Sequence, residues 1–171
     1  MLQIPIQKTL PLIQQNRTCG ECTKCCEGYL YADVKFDDGR IAEMGPNPCP
    51  ILQLGKGCGD YENRPQNPCR GFQCEWLRQP DVYPVEMRPD KAGAIFSLQE
   101  VEGIPYLRVT EAGKRLDSEV LSFGLKLALF NKFNVYWEIE GNIHWLGNKD
   151  FVAVMNREKN NNLIKNNEAK K

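Results

Sequence analysis

The 171-residue chain is 42% hydrophobic and 26% charged, which suits one soluble domain or one domain with a small module attached. Its 22 basic and 22 acidic residues cancel, so no global field draws it to nucleic acid or to an anionic membrane surface. No apolar run approaches the roughly 18 residues needed to cross a bilayer, and eight cysteines beside a single histidine are the departure from ordinary composition.

Residues 1–18 read as an apolar arm, with Leu2, Ile4, Ile6, Leu10, Leu12 and Ile13 interrupted by Pro5 and Pro11. An export signal needs an unbroken apolar stretch, so the expected location is cytoplasmic. The arm is expected either to pack on the domain or to be held for a partner.

All eight cysteines lie in the next segment, 19–80: Cys19, Cys22, Cys25, Cys26, Cys49, Cys58, Cys69 and Cys74. An even count admits disulfides. Cytoplasmic thiols stay reduced, however, and adjacent Cys25 and Cys26 cannot bridge each other without severe strain. Thiols packed as small apolar groups do not fit either, because Gly20, Glu21, Thr23 and Lys24 around them make no core. Metal ligation explains the spacing: a Cys-x2-Cys turn aims two sulfurs and nearby amide N–H groups at one ion. All eight are therefore candidate ligands, with Zn2+ the leading metal and a [4Fe-4S] cluster or mononuclear iron as alternatives. The Cys19-x2-Cys22-x2-Cys25 run resembles the stretch that grips a cluster in bacterial ferredoxins, and Cys49-Pro50 has the form of the distant Cys-Pro that completes such a shell. Cys26, next to Cys25, departs from that pattern; side chains of neighbours in extended backbone point apart and can serve different metals. Eight thiolates on two Zn2+ ions would move the formal charge from zero to about −4. Lys24, Lys56, Arg64 and Arg70 stand near enough in sequence to offset it, and Arg70 is the better candidate for a bond to sulfur or to a carboxylate.

Between the cysteines, 29–36 is strand-like, Asp37-Asp38-Gly39 reads as a turn and 40–44 as a short return strand. Asn47-Pro48-Cys49-Pro50, Gly55-Lys56-Gly57-Cys58-Gly59 and Asn63-Arg64-Pro65-Gln66-Asn67-Pro68 are turn chemistry. Loops so poor in apolar contacts need a staple, which a metal supplies. Tyr61 and Arg64 are expected to buttress the site, with Arg64 bonding backbone carbonyls or Glu62.

Cys19-Gly20-Glu21-Cys22-Thr23-Lys24-Cys25-Cys26, then Cys58-Gly59-Asp60-Tyr61-Glu62-Asn63-Arg64-Pro65, then Pro68-Cys69-Arg70-Gly71-Phe72-Gln73-Cys74, resembles the CxxCxxCC family, described as a zinc- or iron-chelating domain. The resemblance covers about a third of the chain and implies a cysteine-bound metal centre of either kind. A flagellin lysine methylase is similar in its cysteine module, but no glycine-rich cofactor loop accompanies the module here.

The character changes near 80–89, and 90–155 reads as a second unit. Segments 94–101 and 104–110 form a hairpin around Glu102-Gly103, with Pro105 placing the second strand at an edge or marking its start. Leu116, Val120, Phe123, Leu127 and Phe130 recur at helical spacing, which predicts a helix over 118–132 with Asp117 or Ser118 as its cap. Val135, Trp137 and Ile139 alternate, Glu140-Gly141-Asn142 turns, and Ile143 and Trp145 resume the alternation. The expected fold class is thus α+β: an irregular, metal-stapled cysteine module followed by a β-hairpin, helix, β-hairpin unit. His144 reads as a polar strand residue. The aromatic side chains of 123–145 read as core rather than as a base-stacking platform, since no Lys/Arg stripe runs beside them. Residues 156–171, rich in Asn and Lys, read as a frayed helix or disordered tail.

The leading expectation for function is a metal-binding protein whose thiolate centre staples an interaction module for a protein partner, with neither nucleic acid nor membrane involved. An iron–sulfur redox or enzyme-accessory component is the alternative, and metal storage or delivery a weaker one. Catalysis is not indicated: no histidine lies near the cysteines in sequence, and no phosphate-binding or dinucleotide loop is present.

Overall fold

Apolar and β-branched residues from 94 to 111 build the two longest strands among the described residues, β5 (Ala94–Val101) and β6 (Ile104–Glu111), paired antiparallel around the Glu102-Gly103 turn. The computed structural model describes residues 17–39 and 41–168, with the side chains of 42, 43 and 161–168 outside the description. The apolar arm expected at 1–18 lies almost wholly outside the described residues.

Ahead of these strands come two small hairpins, β1 (Ala32–Lys35) with β2 (Ile41–Met44), and β3 (Leu52–Gln53) with β4 (Gly57–Cys58), followed by the short helices α1 (Glu75–Arg78) and α2 (Pro89–Ala92). After β6 the chain forms α3 (Ser118–Phe130), β7 (Asn134–Ile139), β8 (Asn142–Leu146) and α4 (Lys149–Glu168). Strands β5 to β8 make one sheet in the order 5-6-7-8, and the fold is α+β. Both expected hairpins of the second half form. The join between them is a β6–α3–β7 crossover, with Tyr106 to Val109 paired in parallel to Asn134 to Trp137. Strand β6 is therefore interior, and Pro105 sits at its start, beyond the first pair with β7, rather than on an edge strand.

Asp117 caps α3, accepting a hydrogen bond from Glu119 N at 2.7 Å. Of the expected stripe, Leu116 and Val120 are buried and Phe123 and Leu127 pack against the core. The buried seam is Val120, Gly124 and Ala128, while Phe130 is 88% exposed at the helix end. The reason is close approach: a Cβ on Gly124 would lie 3.0 Å from the Phe96 ring and 3.3 Å from Val109. Small residues let the helix lie against the sheet, and the larger Phe123 reaches round to pack edge-on against Tyr83 and Phe96.

Helix α4 begins where the alternation of β8 stops. Asn148 is its cap, its Oδ1 accepting from Phe151 N at 2.9 Å, and Phe151 is fully buried against Tyr106. The helical backbone continues through the Asn-rich stretch to Glu168, so of the two expectations for 156–171 the helix is the one seen as far as that residue. The core joins Cys74, Trp76 and Tyr83 to Phe96, Val109, Val120 and Val135, and Cys25 packs against it. Among the described residues no helix is long and apolar enough to cross a membrane.

Candidate metal centre

All eight cysteines are free thiols. Cys22 N–H donates to Cys19 O at 2.9 Å, closing a tight turn with Gly20 in the left-handed region at φ +54°. The chain then enters a 3-10 turn at Lys24–Cys26, not the extended backbone expected there. Three residues per turn still set Cys25 and Cys26 about 120° apart. Cys25 lies on the hydrophobic core, and Cys26 turns toward the loops. Thr23 and Lys24 lock this turn through Glu27, with contacts of 2.5 and 2.7 Å.

Cys26 O accepts from Cys49 N at 2.8 Å, and Cys49 O accepts from Leu52 N at 2.9 Å. Leu52 pairs with Cys58 across the β3–β4 hairpin. Three cysteines distant in sequence are thus stitched together by backbone bonds. Cys69 lies in the wide turn Gln66–Arg70, and Cys74 immediately precedes α1, 7% exposed within the core.

The electrostatics sort the thiols into two neighbourhoods. Burial raises the Cys25 thiol well above its ordinary range, and the charges of Cys74, Cys26, Cys22 and Cys19 add to it. Burial pushes Cys26 up to about 12, reinforced by Cys49, Cys69, Cys58 and Cys19. Cys69 is raised by burial and then by Cys49 and Cys58, with Arg64 opposing. Cys74 is pushed up to about 11 by burial and by Cys19 and Cys22. Cys25 and Cys74 thus both feel Cys19 and Cys22, and Cys26 and Cys69 both feel Cys49 and Cys58, while Cys26 also acts on Cys25 and Cys19 also acts on Cys26.

Among the described residues no group of three or more His, Cys, Asp or Glu side chains is set as a ready-made cage for a metal ion. The chemistry of the donors fits zinc or iron, since all eight are soft thiols, each on a single rotatable χ1. Amide groups face the sulfurs in the sense that favours thiolate. The N–H groups of Lys24 and Asp90 act on Cys22, and those of Leu77 and Trp76 act on Cys74 at the start of α1.

Arg64 donates to Tyr61 O at 2.8 Å and stacks over the Tyr61 ring at 3.4 Å, the carbonyl contact expected of it. Arg70 donates to Glu62 O at 2.5 Å, so its partner is a backbone carbonyl and not the expected sulfur or carboxylate. Lys24 is paired with Glu27, and Lys56 is exposed. His144 is exposed on β8 and stacked on Trp137.

Several supporting residues carry no local motif. Arg17 donates to Trp76 O at 2.9 Å and Pro80 O at 3.0 Å and lies over the Trp76 ring, anchoring the chain entering Cys19 to the chain leaving Cys74. Glu75, 1% exposed, binds Arg78 and Gln79 beside Cys74. Asp90, held by Arg88 through two 2.6 Å contacts, brings α2 to Cys22. Only the fold brings these positions to the cysteines. No family model, curated protein or solved structure matches the chain.

Proposed function

We propose that the protein binds metal through its eight cysteine thiolates, in two four-thiolate centres, and uses them to hold the irregular cysteine module as an interaction surface. The carrying observation is that eight free thiols, whose charges act on one another, lie in a segment that has little core of its own. Between 19 and 73, the large apolar side chains buried among the described residues are Val34 and Met44. Loops with so small a core need a cross-link to stay ordered, and the resemblance to the CxxCxxCC family supports the same reading.

Zinc is the metal this reading favours, because four thiolates fill a tetrahedral shell and leave no open position for a reacting water. A protein partner is part of the proposal, supported by Leu129 and Phe130, 64% and 88% exposed at the end of α3. Metal, iron and acid-labile sulfide, measured per chain on anaerobically purified protein, test it: about two zinc and no sulfide is the expected result. Metal-free protein with a fully folded cysteine module would overturn it.

The second reading, an iron–sulfur redox or accessory protein, draws on the Cys19-x2-Cys22-x2-Cys25 run with Cys74 as fourth donor. Iron with matching sulfide would make it the leading one. Labile exchange with mild chelators would instead favour storage or delivery.

A further inference from the structure

The face of the sheet away from α3 carries a cavity of about 210 Å³, roofed by the loop that leaves the cysteine run. Tyr29 and Tyr31 come from that loop; Arg108 and Thr110 come from β6, and Tyr136 and Glu138 from β7. Tyr136 pairs with Arg108, and alternation along each strand brings Thr110 and Glu138 to the same face.

Two polar atoms here are buried and make no hydrogen bond among the described residues: Arg108 Nε and Thr110 Oγ1. Buried donors are nearly always satisfied, so such a pair calls for a partner. The Arg108 guanidinium lies 5.3 Å from the Tyr136 ring centroid and joins no ion pair among the described residues. Glu111, also on the wall, is committed elsewhere: its carboxylate accepts from Leu116 N at 2.7 Å and Glu140 N at 3.3 Å. Glu138 has no such backbone donors, so one cation and one anion face the cavity without meeting each other.

From this juxtaposition we infer a binding site for a small zwitterion of the free amino-acid type. Its carboxylate is taken by Arg108 and Thr110, its ammonium by Glu138, and its side chain lies among the tyrosine rings. The volume sets the scale, being below the ~300 Å³ at which sites for drug-sized molecules and cofactors begin. Arg suits a carboxylate by its forked donors, and loss of a charged hydrogen bond in such a site costs about tenfold or more in affinity.

Titration of the 171-residue protein as purified with glycine, L-leucine, acetate and methylammonium, followed by NMR at the Arg108 side chain and the tyrosine rings, tests the site. Amino acids should bind, with acetate about tenfold weaker. Arg108→Gln should abolish binding with at most a small change in melting temperature, since it removes the contact with the Tyr136 ring but no hydrogen bond among the described residues. Glu138→Gln should lower amino-acid affinity to that of acetate and leave acetate itself unaffected. Equal binding of acetate and glycine would overturn the zwitterion assignment, and no shift with any probe up to solubility would mean a cavity filled by water only.

Discussion

Asn134 is the polar residue most deeply committed within the sheet. It is 6% exposed, its Nδ2 donates to Pro105 O at 2.9 Å, and its Oδ1 accepts from Asn148 N at 2.9 Å. One amide thus satisfies the carbonyl at the start of β6 and the N–H at the entry to α4. Asn134→Ala strips both partners, and because a buried unsatisfied group keeps its full desolvation cost, the loss should be about 1–3 kcal/mol in a urea melt. A change within error would mean that water replaces the amide. Nothing in the sequence marks Asn134, which reads as an ordinary polar residue opening a strand. The cysteines are the opposite case, because their residue type names their chemistry in advance. Between these lie Tyr61 and Arg64, whose mutual contact is local and was legible, and Arg70, whose carbonyl partner Glu62 is eight residues back and was not.

At the level of elements, sequence pattern identified β5, β6, α3, β7 and β8, because each is an apolar or alternating segment with either a turn or a cap to end it. It found the dry side of α3 but not its centre: Leu116, Val120, Phe123 and Leu127 meet the core, while Phe130 is exposed. Apolar size was taken as the signal, whereas close approach to Phe96 and Val109 selects Gly124. Parallel pairing of β6 with β7 lies beyond any short-range pattern, since its partners are separated by the whole of α3. In the cysteine module the elements are too short to hold themselves, and pH should show what does. Without metal, Cys26 and Cys74 keep their protons up to about 12 and about 11, above the ordinary 9.0, because burial penalises the thiolate. A group whose folded pKa is raised contributes stability that is complete below the unfolded value and is lost as pH rises through the folded one. Whatever partial order the metal-stripped module keeps should therefore be lost between about pH 9 and 12. The metal-loaded form needs thiolates, so it should fail in the other direction, releasing metal as acid returns protons to sulfur. Circular dichroism of the two forms across pH checks the crossing; identical profiles would remove the metal from the account.

Over the whole molecule the two thiol groups differ in what they touch. Cys25 and Cys74 pack with Trp76, Tyr83, Phe96 and Val109, whereas Cys58 sits in a two-residue strand paired only with β3. A substitution should therefore spread according to its group. Cys74→Ser buries a hydroxyl in the shared core, at a cost of about 1–3 kcal/mol beyond any lost metal, and should raise amide exchange in β5 and β6 as well as in the module. Cys58→Ser should release about one equivalent of metal and expose 49–59 to exchange while leaving β5 and β6 protected. Hydrogen exchange read by mass spectrometry separates the cases, because local opening and global unfolding protect different peptides. Equal deprotection of the sheet by both variants would mean that the loops and sheet unfold as one unit, with the eight thiols acting as a single cross-link. Protection retained in β5 and β6 for Cys58→Ser alone would make the core-side group part of the same cooperative unit as the sheet. The loop-side group would then be a local clasp that opens without unfolding the sheet beneath.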